Sequence, residues 1–187
     1  MTSLALMSIC RVASAGSEKS CESEMRKAAA EYRIPLAVLY AIGLSETGQK
    51  GLLRPYALNF GGPSYLAKDL ADALARFKEA EKRGAKLIDI GCMQIDYYYH
   101  SSRFDSVESM FDPRANVRYA AEFLRKLYDR EKSWTLAAAY YHAGPGNDAE
   151  QKRYVCRVVS NMVASGFGSW TSDARTFCVL AQQLPRP

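Results

Sequence analysis

Apolar residues recur at helical spacing along nearly the whole chain, and this periodicity limits the fold more than any other feature. Two stripes that each lie on one side of a helix are Met25-Ala28-Ala29-Tyr32 and Val117-Ala121-Leu124-Leu127. Helix starts are marked by the capping residues Ser20, Asp112 and Ser133, and helix ends by Gly84 and Gly144. We therefore expect a mostly α domain of many short helices, with at most a very short β-hairpin.

The length and composition are those of one ordinary globular domain. The chain has 187 residues, of which 48% are apolar and 24% charged, so it is neither disordered nor a coiled coil. No apolar run approaches the roughly 20 residues that span a bilayer. The net charge of +5 is too small and scattered to indicate nucleic-acid binding, although it suits an anionic substrate.

The N-terminus indicates export. Residues 4–10 are apolar and residues 13–15 read Ala-Ser-Ala, a pattern typical of signal-peptidase cleavage. We therefore predict a signal peptide over residues 1–15, a folded domain over residues 16–187 and a periplasmic location. A frayed terminus or a mis-set start codon is the alternative, because no basic residue precedes the apolar run.

Four of the five cysteines would remain after cleavage: Cys21, Cys92, Cys156 and Cys178. In an oxidising compartment they can form up to two disulfides, with three possible pairings that the sequence does not distinguish. A bridge from Cys21 to Cys178 would close the longest loop. Cys92 could instead remain a free thiol.

Four motifs carry the functional signal. Glu46 lies near the end of an apolar helix in Ile-Gly-Leu-Ser-Glu-Thr-Gly, residues 42–48. Residues 89–95 read Asp-Ile-Gly-Cys-Met-Gln-Ile, residues 138–146 read Ala-Ala-Tyr-Tyr-His-Ala-Gly-Pro-Gly, and residues 153–159 contain Arg-Tyr-Val. Each alone has an ordinary structural explanation, such as a helix end or a turn. A carboxyl that closes an apolar helix is a candidate general acid.

Taken together and in this order, the motifs resemble those of the bacterial lytic transglycosylases in the soluble-lytic and goose-type lysozyme superfamily. The shared pattern is a Glu that closes a helix, a Gly-x-Met-Gln-Ile turn, a Tyr-x-Ala-Gly-x-Gly helix end and a Tyr-Val helix. Three differences stand out. Thr47 replaces the usual Ser, His142 replaces the usual Asn, and a helix over residues 66–83 resembles an insertion found in one bacterial subgroup.

The resemblance implies cleavage of the β-1,4 bond between N-acetylmuramic acid and N-acetylglucosamine in peptidoglycan. Glu46 would be the catalytic acid and then the base, and Tyr154 would position it. The residues implied to bind the glycan are Thr47, Gly91, Met93, Gln94, Tyr141, His142 and Gly144. The substrate's own N-acetyl group would support the positive charge, so one carboxyl suffices.

Two further groups of residues lie beside the Gly-Cys-Met-Gln turn. Asp89 and Asp96 flank the Gly-Cys-Met-Gln turn and are the candidates for a second carboxylate, which we expect to be structural or solvated. Of the consecutive aromatic residues 97–100, we expect at most one to touch glycan.

The alternatives are a hydrolytic muramidase on the same fold, or a weakly catalytic peptidoglycan-binding module that serves a secretion, pilus or flagellar system. In the second case a C-terminal tail over residues 165–187 would bind the partner. Our own expectation for this tail is a packed helix held by Cys178. We expect the protein to be a monomer. We also expect it to need no metal or other cofactor, because the two histidines, His100 and His142, stand far apart in the sequence with no cluster of ligands around them.

Overall fold

The computed structural model describes residues 20–48 and 51–185, so the predicted signal peptide lies outside the described residues. In these two segments the chain forms nine α-helices and four short strands. In chain order they are α1 Cys21–Glu31, α2 Leu36–Thr47, β1 Ala57–Asn59, β2 Tyr65–Leu66, α3 Leu70–Lys82, β3 Asp89–Ile90, β4 Ile95–Asp96, α4 Tyr97–His100, α5 Val107–Phe111, α6 Pro113–Glu131, α7 Trp134–Ala143, α8 Asp148–Ala164 and α9 Ser172–Gln182. The prediction of a mostly α domain is confirmed.

The central helix α6 forms where its sequence signals predict. The Asp112 carboxylate accepts a hydrogen bond from the Ala115 amide at 3.1 Å, and Pro113 occupies the first helical position. Such a cap contributes about 1 kcal/mol, and proline at that position gives up no hydrogen bond. The apolar stripe that contains Val117 and Leu124 is fully buried against α1 and α7.

Helix α8 begins earlier than its apolar stripe predicts and carries Tyr154 into the core. The sequence indicates a helix from Tyr154 to Met162, but the structure extends it back to Asp148 because the Asn147 side chain caps it. The helix packs against α2, α7 and α9. This packing places Tyr154 beside the end of α2.

The strands form one small antiparallel sheet in the order β2-β1-β3-β4. This sheet has four strands where the sequence predicts at most one hairpin, and β1 lies in a Gly/Pro-rich segment that reads as a loop. The strands have only two or three residues each, too few to show an alternating pattern. Their register pairs Asn59 with Asp89, and Asp89 with Asp96.

Two disulfides connect distant parts of the chain, Cys21–Cys92 and Cys156–Cys178. Of the possibilities that the sequence leaves open, the structure therefore has neither the Cys21–Cys178 bridge nor a free thiol at Cys92. The pairing depends on contacts between elements, since α1 lies near the Gly-Cys-Met-Gln turn while α9 packs on α8.

The predicted inserted helix and the predicted C-terminal tail each contain one helix. The helix proposed over residues 66–83 runs from Leu70 to Lys82 after an Asp69 cap, and it packs against α5 and β1. In the tail over residues 165–187, α9 lies on α8 and is linked to it by the Cys156–Cys178 disulfide. None of the helices in the described part of the chain is long and apolar enough to cross a membrane.

Candidate active site

A polar cleft of about 380 Å³ lies between the ends of α2 and α7 and the small sheet. Four of the predicted site residues line the cleft: Glu46, Gln94, Tyr141 and His142. Asp89 and Asp96 face the same space from β3 and β4. The cleft therefore brings residues from the first three motifs together.

Glu46 is held by one short hydrogen bond. The Tyr154 hydroxyl donates to Glu46 Oε1 at 2.6 Å, and only 13% of the Glu46 side chain is exposed. Tyr154 is fully buried. Burial, followed by the nearby Glu46 charge, raises the pKa of Tyr154 well above its usual range, so the phenol stays protonated and remains a donor.

His142 lies between two carboxylates. Its Nδ1 is 3.7 Å from Glu46 Oε1, and its Nε2 is 3.5 Å from Glu150 Oε1. The imidazole stacks on the Tyr154 ring, with centroids 4.2 Å apart and planes within 8°. Arg153 pairs with Glu150 at 2.9 Å. The imidazole therefore packs on the tyrosine that holds Glu46, which the usual asparagine could not do in the same way.

The Gly-Cys-Met-Gln turn is braced by a residue that the sequence did not reveal, Asn116 of α6. Its Oδ1 accepts from the Met93 amide at 2.9 Å, and its Nδ2 donates to the carbonyls of Ile90 and Met110, both at 2.9 Å. A Cβ on Gly91, where φ is +81°, would lie only 2.6 Å from that Nδ2. Glycine is needed here for the turn and for the close approach. The sequence feature that could have indicated this role is the polar residue Asn116 within the apolar stripe of α6.

Three predicted glycan-binding residues make contacts within the protein. The Met93 side chain is fully buried, and its carbonyl accepts from the Tyr141 hydroxyl at 2.9 Å. Thr47 is buried and donates to the Cys92 carbonyl at 3.0 Å. Gln94, at a φ of 47°, donates to the Gly91 carbonyl at 3.1 Å while it also lines the cleft. These bonds hold the turn against α2 and α7.

Gly144 and Tyr141 belong to the end of α7. Gly144 has a φ of 59° and follows the last residue of the helix, and the Gln151 side chain donates to its carbonyl. Burial, and then the charge of Glu46, raises the pKa of Tyr141 well above its usual range, so its hydroxyl remains a donor to Met93.

Among the aromatic residues 97–100, Tyr99 and His100 line the cleft, whereas Tyr97 packs on Phe77.

The two aspartates of the sheet have different surroundings. Asp96 Oδ1 accepts from the Tyr99 amide at 3.0 Å and caps α4. Asp89 is half-buried. Its burial, followed by the charges of Asp96 and Glu46, raises its pKa to about 7, while His142 acts to lower that pKa. Asp89 is therefore a carboxyl that changes its charge near neutral pH within the cleft.

Other features of the described residues do not compete with this cleft as the chemical site. A larger cavity of about 820 Å³ lies near the starts of α1, α5 and α6, but none of the predicted site residues lines it. Within residues 20–48 and 51–185, no group of three or more His, Cys, Asp or Glu side chains could hold a metal ion.

The fold and site define a class of protein, a mostly α domain with a half-buried, tyrosine-bonded glutamate at a polar cleft. The chain belongs to the Transglycosylase SLT domain family, whose model matches residues 23–159. The predicted membership in the lytic transglycosylase and lysozyme-like superfamily is confirmed. A lytic transglycosylase-type function connected with peptidoglycan in the cell envelope follows from this membership. No curated protein and no solved structure matches the chain.

Proposed function

We propose that this protein is a peptidoglycan lytic transglycosylase that cleaves the bond between N-acetylmuramic acid and N-acetylglucosamine without consuming water. The observation that carries the proposal is the 2.6 Å hydrogen bond from Tyr154 to Glu46 Oε1. It leaves Glu46 Oε2 available to the substrate at the cleft. A held carboxyl of this kind is what a general acid needs.

In the first step, Glu46 donates its proton to the glycosidic oxygen as the bond from that oxygen to the muramic C1 breaks. The carbonyl oxygen of the muramic 2-acetamido group attacks C1 and forms a cyclic oxazolinium ion. No second protein nucleophile is needed, because the substrate supplies it. Tyr154 stabilises the carboxylate that Glu46 becomes.

In the second step, the ionised Glu46 accepts the proton of the muramic 6-hydroxyl. The 6-oxygen attacks C1, the bond from C1 to the acetamido oxygen breaks, and a 1,6-anhydro ring closes. Glu46 is protonated again at the end, so one residue serves as acid and then as base.

Three whole-chain properties support the same proposal. Both disulfides suit an oxidising compartment, in keeping with export to the periplasm. The charge of +5 suits a polymer whose peptides carry carboxylates. A monomer would suffice, because one chain supplies Glu46, Tyr154 and the residues that line the cleft.

The first test is the substitution Glu46→Gln, assayed by release of soluble fragments from purified sacculi. We expect a loss of at least about 100-fold, since a general acid contributes about that much or more. Glu81→Gln on the exposed face of α3 is the matched control and should retain full activity. A Glu46→Gln variant that folds and still cleaves at the original rate would refute the mechanism.

The second test is the mass of the products. A transglycosylase releases muropeptides that are lighter by one water than those of a hydrolase. A hydrolytic muramidase is the alternative, favoured by the presence of Asp89 and Asp96 in the same cleft as Glu46. Reducing-end sugars alone would establish the muramidase. Binding to sacculi with no release at all would instead indicate an accessory binding module.

A further inference from the structure

We infer that Asp89 is a second substrate-contacting carboxyl, which accepts the N–H of the muramic 2-acetamido group and takes up its proton during cleavage. This inference rests on the proposed function. It assigns a separate task to a residue that the one-carboxylate mechanism leaves unused.

The first observation is a row of polar side chains across the sheet. Asn59, Asp89 and Asp96 are cross-strand neighbours on β1, β3 and β4, and all three line the cleft that Glu46 faces. Neighbours in such a row have Cβ atoms about 5 Å apart. Asp89 occupies the middle position.

The second observation is that both outer members of the row are already bonded. Asn59 Oδ1 accepts from the Gly61 amide at 2.8 Å, and its Nδ2 donates to the Gly62 carbonyl at 3.2 Å. Asp96 caps α4. By contrast, the Asp89 carboxyl has no hydrogen-bond partner within the described residues. A half-buried carboxyl without a partner is costly unless a ligand supplies one.

The third observation concerns charge. Asp89 faces Asp96 from β4, Glu46 from α2 and His142 from α7, and the two carboxylates favour its protonated form while His142 opposes it. During the first step Glu46 loses a proton and gains a negative charge. That new charge increases the proton affinity of Asp89 when the acetamido N–H becomes acidic.

The step balances. As the acetamido oxygen bonds to C1 and the glycosidic bond breaks, the nitrogen releases its proton to Asp89 and the oxazolinium ion becomes a neutral oxazoline. When the 6-oxygen attacks C1, the bond from C1 to the acetamido oxygen breaks and Asp89 returns the proton to nitrogen. Glu46 and Asp89 together then carry one negative charge throughout, on Asp89 at the start and at the end and on Glu46 in between.

The test compares Asp89→Asn with the native protein on soluble glycan strands. Asparagine still accepts the N–H through its carbonyl but cannot take the proton. We therefore expect kcat to fall about 100-fold or more with little change in KM, because a group that accepts a proton in the transition state contributes about that much. Asp105→Asn, at an exposed position, is the matched control and should leave both constants unchanged.

The pH profile distinguishes this role from a structural one. Asp89 must start ionised, so the native kcat/KM, which reports pKa values of the free enzyme, should rise with pH through about 7. The substitution Asp96→Asn removes one of the charges that hold the Asp89 proton, and should move this limb to lower pH. In Asp89→Asn the limb should disappear. An Asp89→Asn variant that is slow but keeps the limb would overturn the inference.

The outcomes separate the two proposals. Activity retained in Glu46→Gln contradicts the proposed function itself. Loss of activity in Glu46→Gln with a native rate and profile in Asp89→Asn contradicts only the role of Asp89. Circular dichroism should show a native fold for Asp89→Asn, because the change removes a like-charge neighbour of Asp96.

Discussion

At the scale of single residues, the position of Glu46 depends on one hydroxyl. Tyr154 reaches it from α8, and His142 of α7 stacks on the tyrosine ring. The phenol is buried and keeps its proton, so it always presents a donor to Glu46. The tyrosine therefore fixes which oxygen of Glu46 is bonded within the protein.

We predict that Tyr154→Phe lowers kcat about 10-fold or more. Phenylalanine keeps the ring and its stacking with His142, so the loss is that of the hydrogen bond to an ionised carboxylate, worth about 1.5 to 3 kcal/mol. Initial rates of glycan-strand cleavage measure the effect. Tyr98→Phe, at a position that is 62% exposed, is the control. Equal rates for the two variants would show that Tyr154 does not position Glu46.

At the scale of elements, the Gly-Cys-Met-Gln turn depends on α6. Asn116 bonds to the main chain on both sides of the turn, while Thr47 of α2 and Tyr141 of α7 each donate to one of its carbonyls. The turn is thus tied to three helices, and it carries Gln94 into the cleft. A motif that reads as local is held by residues from elsewhere in the sequence.

We predict that Asn116→Ala lowers the free energy of unfolding by about 3 kcal/mol or more. It leaves one buried amide and two carbonyls without the side chain that pairs with them, at roughly 1 kcal/mol or more each. Urea unfolding provides the measurement. Asn161→Ala removes a single bond to Ser45 and should cost much less, so similar losses in both variants would contradict the prediction.

At the scale of the whole molecule, each of the two disulfides joins two elements that are distant in sequence. Cys21–Cys92 spans 71 residues and attaches α1 to the turn beside the cleft. Cys156–Cys178 spans 22 residues and attaches α9 to α8. The first bridge therefore constrains the site, and the second constrains the C-terminal helix.

We predict that replacing both cysteines of the Cys21–Cys92 pair by alanine costs more stability than replacing both of the Cys156–Cys178 pair. Loop-closure entropy gives about 4 kcal/mol for the longer loop and about 3 kcal/mol for the shorter one. Urea unfolding of the two double variants under oxidising conditions measures the difference. The opposite order of stabilities would show that packing around α9, and not loop length, dominates.

Much of the fold is visible in the sequence because helix formation depends on local spacing. The stripe through Val117 and Leu124, together with the cap at Asp112, is enough to locate α6. The short strands cannot be predicted in this way, because two or three residues are too few to show the alternation of apolar and polar residues that marks a strand. Their pairing depends on partners such as Asp89 and Asp96 being brought together by the rest of the chain.

The candidate site divides in the same way. The order of the motifs was sufficient to identify the family and to single out Glu46 and the Gly-Cys-Met-Gln turn. The disulfide pairing, the brace from Asn116 and the difference between Asp89 and Asp96 became apparent only in the folded chain. The physical reason is that burial, charge and hydrogen-bond partners are set by residues distant in sequence, as with the 108 positions that separate Tyr154 from Glu46.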